Sequence, residues 1–295
     1  SPDGKLLLTN WAGVLTLRDG STGAKKFDID PKITGGKAIQ PDWSPDGQYV
    51  AFVQVPSEGK LGKDFVNTNL QAGDWVAANT GNIAVMQYER GAFSPAKVVV
   101  PANTGTEYHY FPSFSPDSNF ILFVSGTAPG SSSTAWKNVY GQENPRLPVQ
   151  GYANYMMTYD QDTARLRLVS VGGGNPIELT QATHQMGMTA SWPRFSPFKQ
   201  GNIAFFTFSA KFPYGFVVTD GKTPQMWMSA VDLGRAAADQ GATDPSYPPV
   251  WLPFQSSREK NHSGIWTQEI TCVSNDDCGE GFICTGGFCK AVTNG

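Results

Sequence analysis

Short runs of alternating or wholly apolar residues, each preceded by a Ser-Pro turn, recur along this chain. The copies are "SPDGKLLLT" from Ser1, "WSPDGQYVAF" from Trp43, "FSPDSNFILF" from Phe114 and "FSPFKQGNIAFF" from Phe195. Proline presets φ at the first corner of such a turn, aspartate bonds a backbone N–H two residues on, and glycine takes the positive φ that closes it. Each copy therefore predicts a hairpin with a strand on either side of the turn.

The spacing of the copies predicts the architecture. Their serines, Ser1, Ser44, Ser115 and Ser196, are separated by 43, 71 and 81 residues. The first spacing is close to one four-stranded propeller blade of roughly 40 to 50 residues, and the others correspond to a blade with an insertion. Further β-rich runs follow the motifs and supply the outer strands: Gly81–Val100, Arg165–Ala182 and Pro224–Leu233. A fifth, degenerate inner strand is predicted at Asn261–Glu269, with Trp266 in register with Trp43 and Phe114.

The sequence thus predicts an all-β fold, a β-propeller of four-stranded antiparallel blades with about four blades and a partial one. The hairpin motif "WSPDGQYVAF", together with "LVSVGGGNPIELT" further along, resembles the TolB-type (WD40-like) β-propeller family over roughly residues 1–270. The resemblance implies six or more blades in a parent protein. Because Ser1 lies inside a hairpin motif, residues upstream of it are expected to carry a further repeat and an export signal.

The copies of the motif differ at the turn itself. The Asp-Gly pair is intact at Asp3-Gly4 and at Asp46-Gly47, becomes Asp117-Ser118 in the third copy, and is lost at Phe198-Lys199 in the fourth. The fourth copy therefore predicts a blade but no particular turn geometry.

All four cysteines lie near the end of the chain, in a predicted second module at residues 271–295. They are Cys272, Cys278, Cys284 and Cys289. The module contains no Cys-x-x-Cys pair and no histidine, which disfavours a zinc site or a thioredoxin-like redox motif. A short glycine-rich stretch cannot bury a core of its own, so two disulfides, formed in an oxidising compartment, are the favoured interpretation. Three pairings of the four cysteines remain open.

The module resembles the small cysteine-rich modules of bacterial surface and secreted proteins, which implies export to the periplasm, the cell surface or the extracellular space. Its similarity to interleaved small knots implies the pairing Cys272–Cys284 and Cys278–Cys289. Asp276, Asp277 and Glu280 could help hold Ca²⁺, but a solvated acidic loop is the simpler interpretation. No cofactor is therefore predicted.

Composition and charge narrow the classes of partner. The chain has 295 residues, 40% of them hydrophobic and 16% charged, and a formal net charge of −3. No segment forms the basic patch that nucleic acid or an anionic membrane would need. No apolar run approaches the length that spans a bilayer.

Catalytic motifs are scarce. A Gly-x-Ser-x-Gly elbow is absent from the sequence. His109, His184 and His262 each precede an inner-strand motif, and with Glu107 they are candidates for a metal or acid–base site in the central channel. Their offsets from the aligned serine or threonine are six, twelve and five residues, so a shared depth is not expected. Ordinary loop or channel-rim histidines are the favoured interpretation, and the protein is predicted not to be an enzyme.

Binding is instead predicted in the long insertions, because loops on a rigid scaffold commonly carry recognition. The insertions are Ser57–Trp75, Gly126–Tyr155 and Asp232–Lys260. Their candidate binding residues are Trp75, Trp136, Tyr140, Tyr152, Tyr247 and Trp251. The resulting hypothesis is a non-catalytic, exported propeller that binds another protein, as a subunit of a periplasmic or cell-surface assembly. The alternatives are a propeller lyase or hydrolase that uses channel histidines, and a carbohydrate-binding surface protein that uses Trp136, Tyr140 and Trp251.

Overall fold

The computed structural model describes residues 1–56, 81–102, 107–127, 163–183, 189–215, 223–239, 242–266, 272–278 and 282–291. The chain divides into two compact units, Ser1–Gly264 and Ile265–Gly295. The insertion at Ser57–Trp75 and most of Gly126–Tyr155 fall outside the described residues. So do five individual candidates: Trp75, Trp136, Tyr140, Tyr152 and His184.

The described residues of the first unit form four antiparallel sheets. Sheet 1 consists of β1 (Leu6–Trp11), β2 (Val14–Asp19) and β3 (Lys25–Asp28). Sheet 2 consists of β4 (Lys37–Trp43), β5 (Tyr49–Val55) and β6 (Asn82–Glu89), with β7 (Ala92–Phe93) and β8 (Lys97–Val100) both paired to β6. Sheet 3 consists of β9 (Glu107–Phe114), β10 (Phe120–Thr127), β11 (Arg165–Ser170) and β12 (Ile177–Glu178). Sheet 4 consists of β13 (Ala190–Gln200), β14 (Ile203–Ala210), β15 (Gln225–Asp232) and β16 (Val250–Trp251). Two short helices, α1 (Pro31–Thr34) and α2 (Leu233–Asp239), join strands.

The sheets pack face to face in chain order. Strands β1 and β2 contact β4, strands β4, β5 and β6 contact β9, and strands β9, β10 and β11 contact β13. On β14, for example, Phe206 and Phe208 are fully buried on the side toward sheet 3. Because side chains alternate between the faces of a strand, each sheet can contribute apolar residues to the core between neighbours. The predicted all-β fold of four-stranded antiparallel blades is confirmed.

The hairpin motif has the same hydrogen bonds in three sheets. In sheet 2 the Ser44 N–H donates to the Tyr49 carbonyl at 2.9 Å, and the Ser44 hydroxyl accepts from the Tyr49 N–H at 2.8 Å and donates to Asp46 at 2.5 Å. Equivalent bonds form at Ser115 and at Ser1. Strand β1 therefore corresponds to β5 and β10, the second strand of a blade.

The predicted fifth inner strand is not found where the structure describes it, because residues 261–266 form no strand. The Asn261 N–H donates to the Pro224 carbonyl at 2.9 Å, and the Asn261 carbonyl accepts from the Ser209 hydroxyl at 2.9 Å. The segment is thus held against sheet 4 by isolated contacts rather than by a strand ladder.

Where the second unit is described, it forms a hairpin of β17 (Phe282–Thr285) with β18 (Phe288–Ala291) and a 3₁₀ turn at Asn275–Asp277. Disulfides join Cys272 to Cys284 and Cys278 to Cys289, as the resemblance to interleaved knots implies. Three of these sulfurs lie within 4.8 Å of one another, but their disulfides leave no thiolate for a metal. Two disulfides indicate an oxidising compartment.

One of the acidic residues of this unit has a structural role. The Asp277 carboxylate accepts the N–H groups of Ser274 at 2.9 Å and Val273 at 2.7 Å, and these bonds hold the pKa of Asp277 below its usual range. Glu280 lies outside the described residues. Within the described part of the chain, no helix has the length and apolar character needed to cross a membrane.

Candidate functional site

The inner strands of sheets 2, 3 and 4 share a four-residue element in front of the Ser-Pro turn. The copies are "QPDW" at Gln40–Trp43, "FPSF" at Phe111–Phe114 and "WPRF" at Trp192–Phe195. The residue before the proline has φ values of 55°, 56° and 53° in turn, and the ladder shifts register at each site. Positive φ strains a side chain other than glycine, and a following proline adds to the strain. This backbone conformation recurs in three sheets and is therefore a regular feature of the repeat.

The residues before the prolines connect one sheet to the next. The Gln40 side-chain oxygen accepts the Phe111 N–H at 2.7 Å. The Phe111 ring in turn stacks on Trp192, with 4.3 Å between ring centroids and 28° between planes. The strained positions therefore form a continuous run of contacts from sheet 2 to sheet 4.

The residues after the prolines form a second run. Asp42 accepts the Phe114 N–H and the Arg194 guanidinium, both at 2.8 Å, and the Ser113 hydroxyl accepts the Phe195 N–H at 3.1 Å. The Asp42–Arg194 pair links sheet 2 directly to sheet 4. Burial raises the pKa of Asp42, against the opposing effect of Arg194 and the Phe114 N–H. The proline two residues before the aromatic is the sequence signal for this element.

The channel candidate His109 lies inside the core on β9, with 1% of its surface exposed. Its Nε2 is 3.3 Å from the Pro101 carbonyl, and its ring meets the edge of Phe123 at 5.3 Å. Because a carbonyl only accepts hydrogen bonds, Nε2 carries the proton. Burial lowers the pKa of His109 to about 4, so the ring is neutral near pH 7.

The other channel candidates have different surroundings. Glu107 pairs with the Arg167 guanidinium at 3.8 Å, and His262 lies partly exposed in the irregular segment 261–266. His184 lies outside the described residues. An acid–base site built from these four residues therefore stays a prediction.

Two aromatic candidates are described, and they lie on opposite faces of sheet 4. Trp251 pairs with Trp227, on the face toward sheet 3, and packs against the core. Its ring stacks on Tyr214 at 5.1 Å. Tyr247 instead borders the opposite face and is 41% exposed.

That opposite face, called the outer face of sheet 4, is apolar. It is formed by Ile203, Phe205, Met228, Ala230, Tyr247 and Val250. These residues surround a shallow cavity of about 390 Å³, and Val250 beside it is 53% exposed. The adjoining part of the face is covered by Gly264, where a Cβ would lie 2.8 Å from the Thr207 hydroxyl. A glycine is therefore needed for this close approach.

The stacked antiparallel sheets and their shared hairpin define a protein of the β-propeller class. No family model matches this chain, and no curated protein matches it. Hydrazine synthase of Kuenenia stuttgartiensis is a similar solved structure, with 10% sequence identity and a TM-score of 0.37. The similarity covers 88% of this chain and 66% of the synthase chain, so this chain spans slightly less than two thirds of that protein's length.

Two other solved structures show similarity at the same level. A putative TolB from Agrobacterium tumefaciens has 15% identity over 79% of this chain and 76% of its own, with a TM-score of 0.30. An oligogalacturonate lyase in complex with manganese has 13% identity over 79% of this chain and 61% of its own, with a TM-score of 0.39. Similarity this low carries no argument about activity.

Proposed function

We propose that this protein is a non-catalytic, exported, TolB-like propeller that binds another protein through the outer face of sheet 4. The observation that supports the proposal is the exposed pair Tyr247 and Val250 beside an apolar cavity. Large apolar patches on soluble proteins are commonly interaction sites. Tyrosine, with an apolar ring and a polar tip, is among the residues that concentrate binding energy in interfaces.

The composition of this face also supports binding. Sheet 3 lies against the other face of sheet 4. The part of the outer face next to Tyr247 carries Ile203, Phe205 and Met228, whereas Thr207 on the same face lies beneath Gly264. A solvated face would carry polar residues in place of these three apolar side chains. A partner that covers these side chains would remove their apolar surface from water, which favours association.

The polar side chains of the inner strands bond to neighbouring sheets, which supports a non-catalytic role. Asp42 is engaged by Arg194, and the side chains of Gln40 and Ser113 accept backbone N–H groups of the next sheet. These groups hold neighbouring sheets together. The two disulfides of the second unit support export, since such bonds persist in oxidising compartments.

Substitution on the outer face tests the proposal. Once the partner is identified by co-purification from the native source, Val250→Asp is expected to weaken its binding at least tenfold, because a desolvated carboxylate would lie in the apolar contact. Tyr247→Ala is expected to have a similar effect. Binding is measured by calorimetry with purified proteins.

Val98→Asp is the matched control, since Val98 is also an exposed valine, at 36%, but lies on sheet 2. It is expected to leave binding unchanged. Wild-type affinity in both outer-face variants, with unchanged melting temperatures, would show that the partner binds elsewhere.

A further inference from the structure

The hairpin turns of the first three sheets lie directly against one another. Pro2 lies 3.7 Å from where a Cβ on Gly47 would be, which brings the turns of sheets 1 and 2 into contact. The Asp46 N–H donates to the Ser118 hydroxyl at 3.1 Å, which joins the turns of sheets 2 and 3. At both of these interfaces, contacts between the hairpin turns therefore fill the space between the two sheets at this edge.

The interface between sheets 3 and 4 is different, because the fourth hairpin has lost the Asp-Gly turn. Strand β13 continues to Gln200, with a register shift between Phe195 and Lys199, and the chain turns at Gly201-Asn202 instead. A groove of about 630 Å³ lies at this interface. Its volume is within the range of roughly 300–1,000 Å³ that is typical of small-ligand sites.

The groove has an apolar floor and a polar rim. Phe120, Ile177 and Leu233 are among the nearly buried side chains of the floor. The rim carries Asp117, Asn119, Ser170, Asn175 and Asn202. A few polar groups above an apolar floor can both orient a ligand and desolvate it.

Helix α2 builds one wall of the groove and lies against Asn202. The Leu233 N–H donates to the Asn202 carbonyl at 2.9 Å. A Cβ on Gly234 would lie 2.5 Å from the Asn202 amide nitrogen, so glycine at this position leaves room for the Asn202 side chain. The wall thus contains an insertion that the other described sheets do not share. In repeat proteins, insertions confined to one repeat often form the binding face.

The rim groups define the chemistry of a ligand. Each asparagine amide can donate two hydrogen bonds and accept two, and the serine hydroxyl can do both. Among the described residues, no lysine or arginine lines this groove, and Asp117 would repel an anion. A purely apolar ligand would leave the amides desolvated without partners. Neutral hydroxyl groups, which both donate and accept, satisfy this rim.

We infer that the groove between sheets 3 and 4 is a binding site for a neutral carbohydrate, recognised by Asn119, Asn175 and Asn202. Each of these amides stands alone on the rim and can bond a separate hydroxyl group of a sugar. An extended peptide, in contrast, is held mainly by hydrogen bonds to the backbone of a sheet edge. The site is distinct from the outer face of sheet 4. Val250→Asp is therefore expected to leave sugar binding unchanged, so this inference and the proposed function can fail separately.

The test screens the full purified chain against an array of neutral glycans and measures the affinity of each hit by NMR titration. Asn119→Ala and Asn202→Ala are each expected to weaken binding at least tenfold, as is Ala237→Trp, which fills the groove from α2. Ala237→Trp removes no hydrogen-bonding group, so it keeps the test valid if an asparagine variant fails to fold.

Two matched variants serve as controls. Gln48 occupies in sheet 2 the turn position that Asn119 occupies in sheet 3, and Ala238 follows Ala237 on α2 without lining the groove. Gln48→Ala and Ala238→Trp are expected to retain wild-type affinity. The inference is overturned if no neutral glycan binds, if binding survives the groove variants, or if acidic sugars or peptides bind this groove instead.

Discussion

Acidification from pH 6.5 to pH 4 is expected to lower the free energy of unfolding by roughly 3 kcal/mol through His109 alone. Burial lowers the pKa of His109 from 6.5 to about 4. In the unfolded chain the ring binds a proton near pH 6.5, whereas in the folded chain it stays neutral until about pH 4. The stabilisation is therefore complete above pH 6.5 and is lost as the pH falls through this window.

Denaturant unfolding at a series of pH values measures this effect as the difference between the wild type and His109→Phe. The variant cannot take up the proton, so the stability difference between the two proteins should change by roughly 3 kcal/mol across the window. Tyr110→Phe, on the same strand, is the control and should run parallel to the wild type. A constant difference between wild type and His109→Phe would mean that His109 is not enclosed as described.

Loss of Arg194 is expected to destabilise the first unit by about 1–3 kcal/mol at neutral pH. The Asp42 side chain is only 22% exposed, and Arg194→Met would leave its carboxylate without its cation. Removing one partner of a fully buried pair costs about 3–5 kcal/mol, but the Arg194 side chain is 45% exposed, so solvent screening reduces the effect. The loss should shrink in acid, where Asp42, whose pKa is raised by burial, becomes neutral.

The double variant Asp42→Asn/Arg194→Met separates the ion pair from simple packing. It is expected to recover part of the lost stability, because the asparagine carries no charge and can still accept the Phe114 N–H. Lys5→Met removes the exposed pair with Asp3 and is expected to leave stability nearly unchanged, because water screens both charges. If Arg194→Met lowers the free energy of unfolding no more than Lys5→Met does, the Asp42–Arg194 pair contributes nothing to stability.

The blades could be predicted because their signals are local. A serine, a proline and an aspartate within three residues define the turn, and the apolar run that follows defines the strand. The Ser44 hydroxyl, for example, bonds to Asp46 and Tyr49, which are two and five residues away in the sequence. The fifth strand was predicted from one aromatic in register, Trp266, without the turn residues, and the described residues 261–266 form no strand.

The candidate site was less predictable because it depends on contacts between sheets. Nothing near Asp42 in the sequence indicates that Arg194, 152 residues later, would reach it. Tyr247 is exposed and Trp251 is partly buried because they lie on different faces of sheet 4. A short strand such as β16 gives little periodicity from which to predict the face. The strained residue before each proline, by contrast, had a visible signal in the repeated "x-Pro-x-aromatic" spacing.

Site-specific photo-crosslinking at position 250 tests the scaffold proposal most directly. A benzoylphenylalanine placed there, on the outer face of sheet 4, is expected to form a crosslink to another protein in the native source, and the same label at Lys26 of sheet 1 is expected to form none. Mass spectrometry of the crosslinked species identifies the partner, which then enters the binding assay with Val250→Asp. A label at position 250 that couples only to this chain, or that gives the same products as the label at Lys26, would contradict the proposal.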